Sequence, residues 1–534
     1  KAMLVTLPLV LLILDYWPLN RWSFTTFPPP PSLFKIQFAL VLEKMPFLIL
    51  SCAACVATIL AQTDVVQKVQ GLTISWRIGN ALMTYVDYLA HMIYPARLAL
   101  LYPHPDGQLL VGRIGWSALV LLIISAGVWV GRRKHPYLLA GWLWYLVMLL
   151  PVIDIMQAGD QARADRYTYL PQIGLYILIA WLAVELCSSW RYRRVVLGFT
   201  AGAIVIVLLV DAYIQTAYWK DSVTVWTHTL AYTPGLPVAH CDLGIALAAQ
   251  GKTVEAIQQF DQALQLKPDD AKSLNNSGIT LVAQGKTDAA IQQFDLALQF
   301  HPDDAVAINN LGVALFARGK LNEAVQHYKR ALQLDPGYAD ACYNMGNALT
   351  AEGKLDDAVQ SYEQALQLNP DLAAAECNLG LTLARQGQLD DAVQHYEQAL
   401  QLKPDYADAL DGLGSALSAQ GKPDEADRYY EQALKLNPNS VDALNNLGVS
   451  LARKGKLDDA IQDFERALQF NPNDASTHNN LGIALASQGK QDEAVQQFQL
   501  ALNLASAQNN NTLADSILAR LKKYEPASFQ PQTQ

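Results

Sequence analysis

Charge is scarce in this sequence of 534 residues: Asp, Glu, Lys and Arg make up 16% of it, against about 25% in an ordinary soluble domain. Cysteine is scarcer, with six residues, and so dispersed a set excludes a disulfide-built secreted scaffold. The single C-x-x-C spacing, Cys52 and Cys55, falls inside an apolar run, where simple burial is the usual role of a thiol. The 31 glycines are too few for a collagenous chain. No basic stripe is present either, and the net charge is −10. Nothing could release counterions from a phosphate backbone, so nucleic acid is excluded as a partner. What the chain has in excess is apolar residues, 51% of the total, which rules out disorder and demands an environment to absorb them.

The excess is unevenly placed. Residues 1–213 hold 16 Lys and Arg against 10 Asp and Glu, and the remainder holds 23 against 39. In the first part, apolar runs long enough to cross about 30 Å of hydrocarbon recur at roughly 2–19, 46–62, 114–130, 137–156, 166–186 and 195–213. Aromatic residues such as Tyr137, Trp181 and Tyr213 punctuate them, as interface-seeking rings do. Residues 1–213 are therefore expected to be a polytopic membrane domain of about six spanning helices. Cationic connections stay on the cytoplasmic side. Arg132-Arg133-Lys134 and Arg191, Arg193 and Arg194 thus place residues 157–165, and everything after Tyr213, on the far side. Residues 72–95 carry Arg77, Asp87 and His91 and are expected to form an interfacial helix there. The first run has no charged leader and no small-residue cleavage site, since Asp15-Tyr16-Trp17-Pro18 follows it. The expectation is that the sequence starts inside a longer membrane domain.

Residues 237–508 repeat with a period of 34. Gly recurs at 251, 285, 319, 353, 387, 421, 455 and 489, and Ala at 256, 290, 324, 358, 392, 426, 460 and 494. Aromatics follow at Phe260, Phe294, Tyr328, Tyr362, Tyr396, Tyr430, Phe464 and Phe498, and a Pro closes each unit from Pro268 to Pro472. Eight units in register resemble the tetratricopeptide repeat, a helix pair that must stack to bury its apolar face. A second glycine in the first helix (Gly244 to Gly482) is expected where an alanine of the second helix approaches, with the aromatic filling space between units. Residues 214–236 read as a half-repeat junction, because Trp226 and Pro234 stand 34 residues ahead of Phe260 and Pro268. Residues 509–526 read as a capping helix with Leu513, Ile517, Leu518 and Leu521 on its apolar face, and 527–534 as a disordered tail. The fold class is all-α: a polytopic transmembrane helix bundle followed by a tetratricopeptide-repeat right-handed superhelical solenoid.

Two residues before each helix-A glycine the sequence reads Asp242, Asn276, Asn310, Asn344, Asn378, Gly412, Asn446 and Asn480. This position is concave in tetratricopeptide arrays, and an amide can both give and take a peptide hydrogen bond. The asparagines resemble the ladder of the O-linked N-acetylglucosamine transferase repeats, which implies an extended polypeptide in the groove. No Lys or Arg clamp for a terminal carboxylate accompanies it. Acidic doublets such as Asp269-Asp270, Asp356-Asp357 and Asp390-Asp391 recur at helix starts, where they serve caps and dipoles, so no metal site is expected.

The far-side stretch Ala164-Asp165-Arg166-Tyr167-Thr168-Tyr169-Leu170-Pro171 is the most polar entry to any apolar run. An arginine at that depth needs an anion, either a lipid phosphate or the neighbouring Asp165. Together with Leu14-Asp15-Tyr16-Trp17-Pro18-Leu19, Tyr94-Pro95 and Tyr102-Pro103-His104-Pro105, all ahead of the repeats, it resembles the transmembrane-and-tetratricopeptide family. That family includes O-mannosyltransferases and has bacterial relatives. The resemblance implies sugar transfer from a polyprenyl-phosphate donor to a protein hydroxyl, in a bacterial inner membrane, with the repeats outside the cytoplasm. It also implies Arg166 and His104 as lipid-phosphate contacts. The family's catalytic acid lies in a first far-side loop that has no counterpart among these residues, so no catalytic residue is assigned. The residues by themselves equally describe a non-catalytic membrane-anchored scaffold for protein–protein contacts.

Overall fold

A computed structural model describes residues 6–21, 31–61, 74–93, 100, 102, 111–153 and 168–524. Every element among them is a helix. The chain divides into two compact units, Lys1–Asn276 and Ser277–Gln534. This division falls within the repeats rather than at the composition change after residue 213.

The first unit opens with α1 (Leu7–Tyr16), α2 (Pro31–Ala61), α3 (Ile74–Ile93), α4 (Val111–Gly131), α5 (Pro136–Leu149), α6 (Tyr169–Leu186) and α7 (Arg193–Ala217). Three of these, α4, α6 and α7, are long and apolar enough to cross a membrane among the described residues. None of the α7 window is buried, and Phe199, Ile206, Val207 and Leu209 are each more than 60% exposed. Aliphatic side chains exposed all round a helix suit an apolar environment.

Over the described residues, two of the six apolar runs form helices of fewer than 18 residues. The described part of the first run is a ten-residue helix, α1, about 15 Å long. It stops at Trp17, which is extended ahead of Pro18, as a residue before proline must be. The run at 137–156 forms the 14-residue α5, about 21 Å long, followed by a short 3-10 turn over Leu150–Val152. Its Leu139, Trp142, Tyr145 and Leu149 are buried, so protein rather than lipid surrounds it. The run at 46–62 lies within the 31-residue α2, which contains Pro46.

Packing around α5 is specific. A methyl on Gly141 would overlap the Gly174 carbonyl oxygen of α6 and come within 2.8 Å of Leu178 Cβ, so glycine on both helices lets the backbones touch. The Tyr85 hydroxyl donates to the Leu146 carbonyl and the Tyr145 hydroxyl to the Tyr85 carbonyl, both at 2.6 Å. These bonds tie α3 to α5. After α7 comes the half-repeat helix α8 (Ser222–Tyr232), started by Asp221 accepting from the Thr224 amide. Trp226 of α8 packs against the Cys241, Leu243 and Phe260 core of the first repeat.

In the second unit each repeat pairs a 13- or 14-residue helix A, such as Ala305–Ala317, with a helix B, such as Leu321–Leu334. The glycine between them has φ of 76° at Gly319 and 79° at Gly353, the left-handed conformation that ends helix A without a Cβ penalty. Helix B ends two residues before its proline; Asn369 between Leu368 and Pro370 has φ −138° and ψ 90°. One packing expectation is corrected. The helix-A glycine makes room for the aromatic ring of its own repeat rather than for an alanine. A Cβ on Gly346 would lie 2.6 Å from the Tyr362 ring, and one on Gly482 2.7 Å from the Phe498 ring. A ring lying flat on a helix backbone is possible only where no side chain stands in the way. The alanines of helix B, such as Ala324 and Ala331, are fully buried beside it. The last helix, Asn511–Tyr524, buries Ile517 and Leu521 and partly buries Leu513, whereas Leu518 is 41% exposed. The buried face follows the i, i+4, i+8 row, and Leu518 falls beside it.

Candidate functional site

The helix-A face of the second unit is where the structure brings the expected site residues together. Asn344 Nδ2 donates to Asn309 Oδ1 of the preceding repeat at 3.1 Å. Asn378 donates to Asn347 Oδ1 at 2.8 Å and to the Tyr343 hydroxyl at 3.1 Å. Asn446 donates to Asp411 Oδ1 at 3.1 Å and Ser415 Oγ at 3.2 Å, and Asn480 to Asn445 Oδ1 at 3.0 Å. Asn310 accepts from Asn309 at 3.2 Å. In the first unit, Asn276 turns its amide onto the Lys272 carbonyl of its own helix at 2.8 Å. The ladder is thus first of all a set of staples between successive A helices. The carboxamide oxygens of Asn310 and Asn480 already accept from Asn309 and Asn479, and those of Asn344, Asn378 and Asn446 are the groups best placed to receive a ligand.

Two positions that interrupt the ladder in sequence have structural reasons. At Gly412 a Cβ would lie 2.5 Å from the Tyr396 ring and 2.9 Å from its hydroxyl. That ring has moved off its own Gly380, where the clearance is 3.2 Å, and takes the place an asparagine occupies elsewhere. Asp242 is engaged by Lys272 at 2.7 Å.

Sequence reading missed the partners of the asparagines. They lie three residues before and one after each helix-A glycine: Asn309, Tyr343, Asn347, Asp411, Ser415 and Asn445. The signal was available in the doublets Asn309-Asn310, Asn445-Asn446 and Asn479-Asn480. Tyr362 adds to the network, donating to Asn347 Oδ1 at 2.7 Å, which is why a tyrosine stands where other repeats have phenylalanine. Asp411 is the one carboxylate in the set. Burial, against the help of Asn446, pushes its pKa up to about 6, and Asp442 and Asp408 add to the rise. Leu381 and Ile279, one residue after their helix-A glycines, are more than 40% exposed and give the same face an apolar component.

Among the described residues no group of His, Cys, Asp and Glu could hold a metal ion. The acidic doublets have other partners: Asp356 accepts from Gln386 of the next repeat at 2.7 Å, and Asp390 from Gln420 at 2.8 Å. His240 and His478 are likewise occupied, each between a glutamine and a proline carbonyl.

Arg166 and His104 lie outside the described residues. Within the described part of the first unit, an ionic cluster with two buried and two half-exposed members joins α1 to α2, and sequence reading did not single it out. Asp15, 1% exposed, pairs with Arg21 at 3.0 Å and Lys44 at 3.1 Å, and Glu43 bridges the same two cations at 2.7 Å each. An acid inside an apolar run was the available clue.

Residues 209–271 and 241–305 match the family described as tetratricopeptide repeat. The chain contains tetratricopeptide repeats. Residues 304–517 also match the family described as the C-terminal domain of cilia and flagella-associated protein 70. Among curated proteins the chain is similar to protein O-mannosyl-transferase Tmtc2 of Drosophila melanogaster, 25% identical over 137 residues, which are 26% of this chain and 14% of that one. It is 27% identical over 147 residues to protein O-mannosyl-transferase TMTC1 of Mus musculus, covering 27% of this chain and 16% of the relative. The matches thus span less than a fifth of those relatives. Among solved structures, a tetratricopeptide repeat protein from Parabacteroides merdae is 20% identical, covering 46% of this chain and 98% of its own with a TM-score of 0.40. YrrB, titled a TPR protein with an unusual peptide-binding site, is 25% identical, covering 37% of this chain and 99% of its own with a TM-score of 0.29. Tetratricopeptide repeats support a protein-binding role, and three bilayer-length apolar helices precede them here.

Proposed function

We propose that this chain is part of a membrane-embedded protein O-glycosyltransferase of the O-mannosyltransferase type, in which the tetratricopeptide array holds the acceptor polypeptide. The observation that carries the reading is the joining, in one chain, of bilayer-length apolar helices and a helix-A face of amide and hydroxyl groups. The names of the relatives support the sugar chemistry. On this reading the donor is a polyprenyl-phosphate sugar, Arg166 and His104 contact its phosphate, and the acceptor hydroxyl attacks the anomeric carbon as the lipid phosphate leaves with the bonding electron pair. The apolar helices lie in a bacterial inner membrane with the repeats on the extracytoplasmic side. In the second unit the carboxamide oxygens of Asn310, Asn344, Asn378, Asn446 and Asn480 accept backbone N–H groups of an extended polypeptide, and Asn276 in the first unit carries the same group.

The test has two arms. Membranes carrying the chain are supplied with a mannosyl-phosphopolyprenol and an unstructured serine- and threonine-rich peptide, and glycosylated peptide is measured by mass spectrometry. Transfer that is lost in Arg166→Ala supports the enzyme; absence of any transfer leaves the scaffold as the reading. In the second arm, Leu381→Arg obstructs the helix-A face without touching the asparagine staples. Peptide affinity unchanged by that substitution rejects the groove.

A further inference from the structure

We propose that the two cationic turns of the first unit, Arg132–Lys134 and Arg191–Arg194, form a single binding surface for the phosphate headgroups of anionic phospholipids. The inference rests on the membrane reading above and adds a lipid class to it.

Their juxtaposition follows from one carboxylate. Glu185, in the last turn of α6, is held by His135 Nδ1 at 2.8 Å and also accepts the Tyr137 hydroxyl. The turn leading into α5 and the turn leaving α6 therefore meet at one end of these helices. The Tyr16 hydroxyl donates to the Arg132 carbonyl at 3.2 Å, which brings the end of α1 to the same place.

Few carboxylates face this end among the described residues. Among the described residues none of Arg132, Arg133, Lys134, Arg191, Arg193 and Arg194 pairs with a carboxylate, and Glu185 is engaged by His135 and Tyr137. The nearby Arg21 and Lys44 behave differently, each neutralised by Asp15 and Glu43. Six cations without a carboxylate partner among the described residues, next to two that have one, are open to anions from outside.

The side chains suit phosphate. Five of the six are arginines, whose planar fork makes bidentate contacts to phosphate oxygens. Two are anchored to their own turns. Arg132 lies over the Trp129 ring at 3.9 Å and donates to the Trp129 carbonyl at 2.6 Å, and Arg193 donates to the Ser188 carbonyl at 3.1 Å. Trp129, Trp190 and Tyr192 are each more than half exposed, placing amphipathic rings at the level where lipid headgroups sit. Exposed arginine beside exposed tryptophan, at the end of helices of bilayer length, fits a lipid phosphate better than a soluble anion, which has no use for the rings.

The experiment uses the full chain in nanodiscs of phosphatidylcholine with and without a minority of phosphatidylglycerol, followed by native mass spectrometry of the lipids that stay bound. The expected result is roughly tenfold enrichment of phosphatidylglycerol over its share of the bilayer, lost in Arg133→Gln/Lys134→Gln/Arg191→Gln/Arg194→Gln. A control quadruple substitution of Lys252, Lys286, Lys320 and Lys456 to Gln on the repeats should keep it, and replacing the arginines by lysine should keep part of it. Equal retention of the two lipids by the unaltered chain overturns the inference while leaving the membrane reading intact. Failure to enter phosphatidylcholine nanodiscs at all overturns both. Inorganic phosphate that displaces the bound lipid at matched concentration would assign the surface to free phosphate and overturn the lipid assignment.

Discussion

Arg520, in the last helix, donates through Nη1 to Asn479 Oδ1 at 3.0 Å. Asn479 stands where Asn309 and Asn445 accept the asparagine of the following repeat. The capping helix has no helix-A asparagine to offer, and an arginine from a different register supplies the missing donor. A repeat stack must satisfy the open face of its final unit in some such way.

Arg520→Ala should therefore loosen the end of the stack without altering its centre. We expect a loss of about 1 kcal/mol, the usual worth of one such bond. Hydrogen exchange checks it: Asn511–Tyr524 and the helix before it should exchange faster while residues 305–402 keep their protection. Unchanged exchange in the last helix would show that the bond contributes nothing.

Asp411 makes the array sensitive to pH. Its pKa is raised to about 6 in the folded chain, so between about pH 4 and 6 the folded state keeps a proton that the unfolded chain has released. Stability then falls as pH rises through that window, and the loss persists at neutral pH. Asp411→Asn restores the residue found at Asn309 and Asn445 and removes the effect. The variant should be the more stable near neutral pH by about 1 kcal/mol or more, with the gap closing toward pH 4. Thermal melts at both pH values measure this, and a gap independent of pH would refute the role of the carboxylate.

Gly412→Asn would bring the sixth repeat to the consensus of its neighbours, yet the structure forecasts harm. The new Cβ meets the Tyr396 ring at 2.5 Å, and overpacking of this kind costs about 1–3 kcal/mol. A melting temperature equal to or above that of the parent would show that the ring can move aside.

The repeat thiols should be inert in the native chain. Cys241, Cys342 and Cys377 are buried, and burial raises all three thiol pKa values, that of Cys377 to about 11. Maleimide labelling near pH 7 should leave them unmodified until denaturant is added, while Cys187, only partly buried, reacts ahead of them. Rapid native labelling of Cys377 would contradict the packing.

The repeat was legible because its chemistry is local. A left-handed turn asks for glycine at Gly319 and Gly353 whatever surrounds it, and a proline stops a helix in any context. The asparagines were legible as a column but not as staples, since their acceptors sit on another repeat, 31 or 35 residues away. In the apolar half, composition shows which segments avoid water but not which of them lie against protein. Trp142 and Tyr145 look as lipid-compatible as Phe199 and Val207, yet the first pair is buried and the second more than 60% exposed.

Sequence alone thus establishes the two environments, the eight-fold period and the helical nature of both halves, because hydropathy and backbone preference are properties of short segments. Tertiary structure decides the rest. It sets α5 inside the protein, moves the Tyr396 ring into the place of an asparagine, closes the last repeat with Arg520, and brings two cationic turns together through Glu185. Each of these depends on which distant surfaces meet, and so on packing across many residues rather than on any one segment's preference.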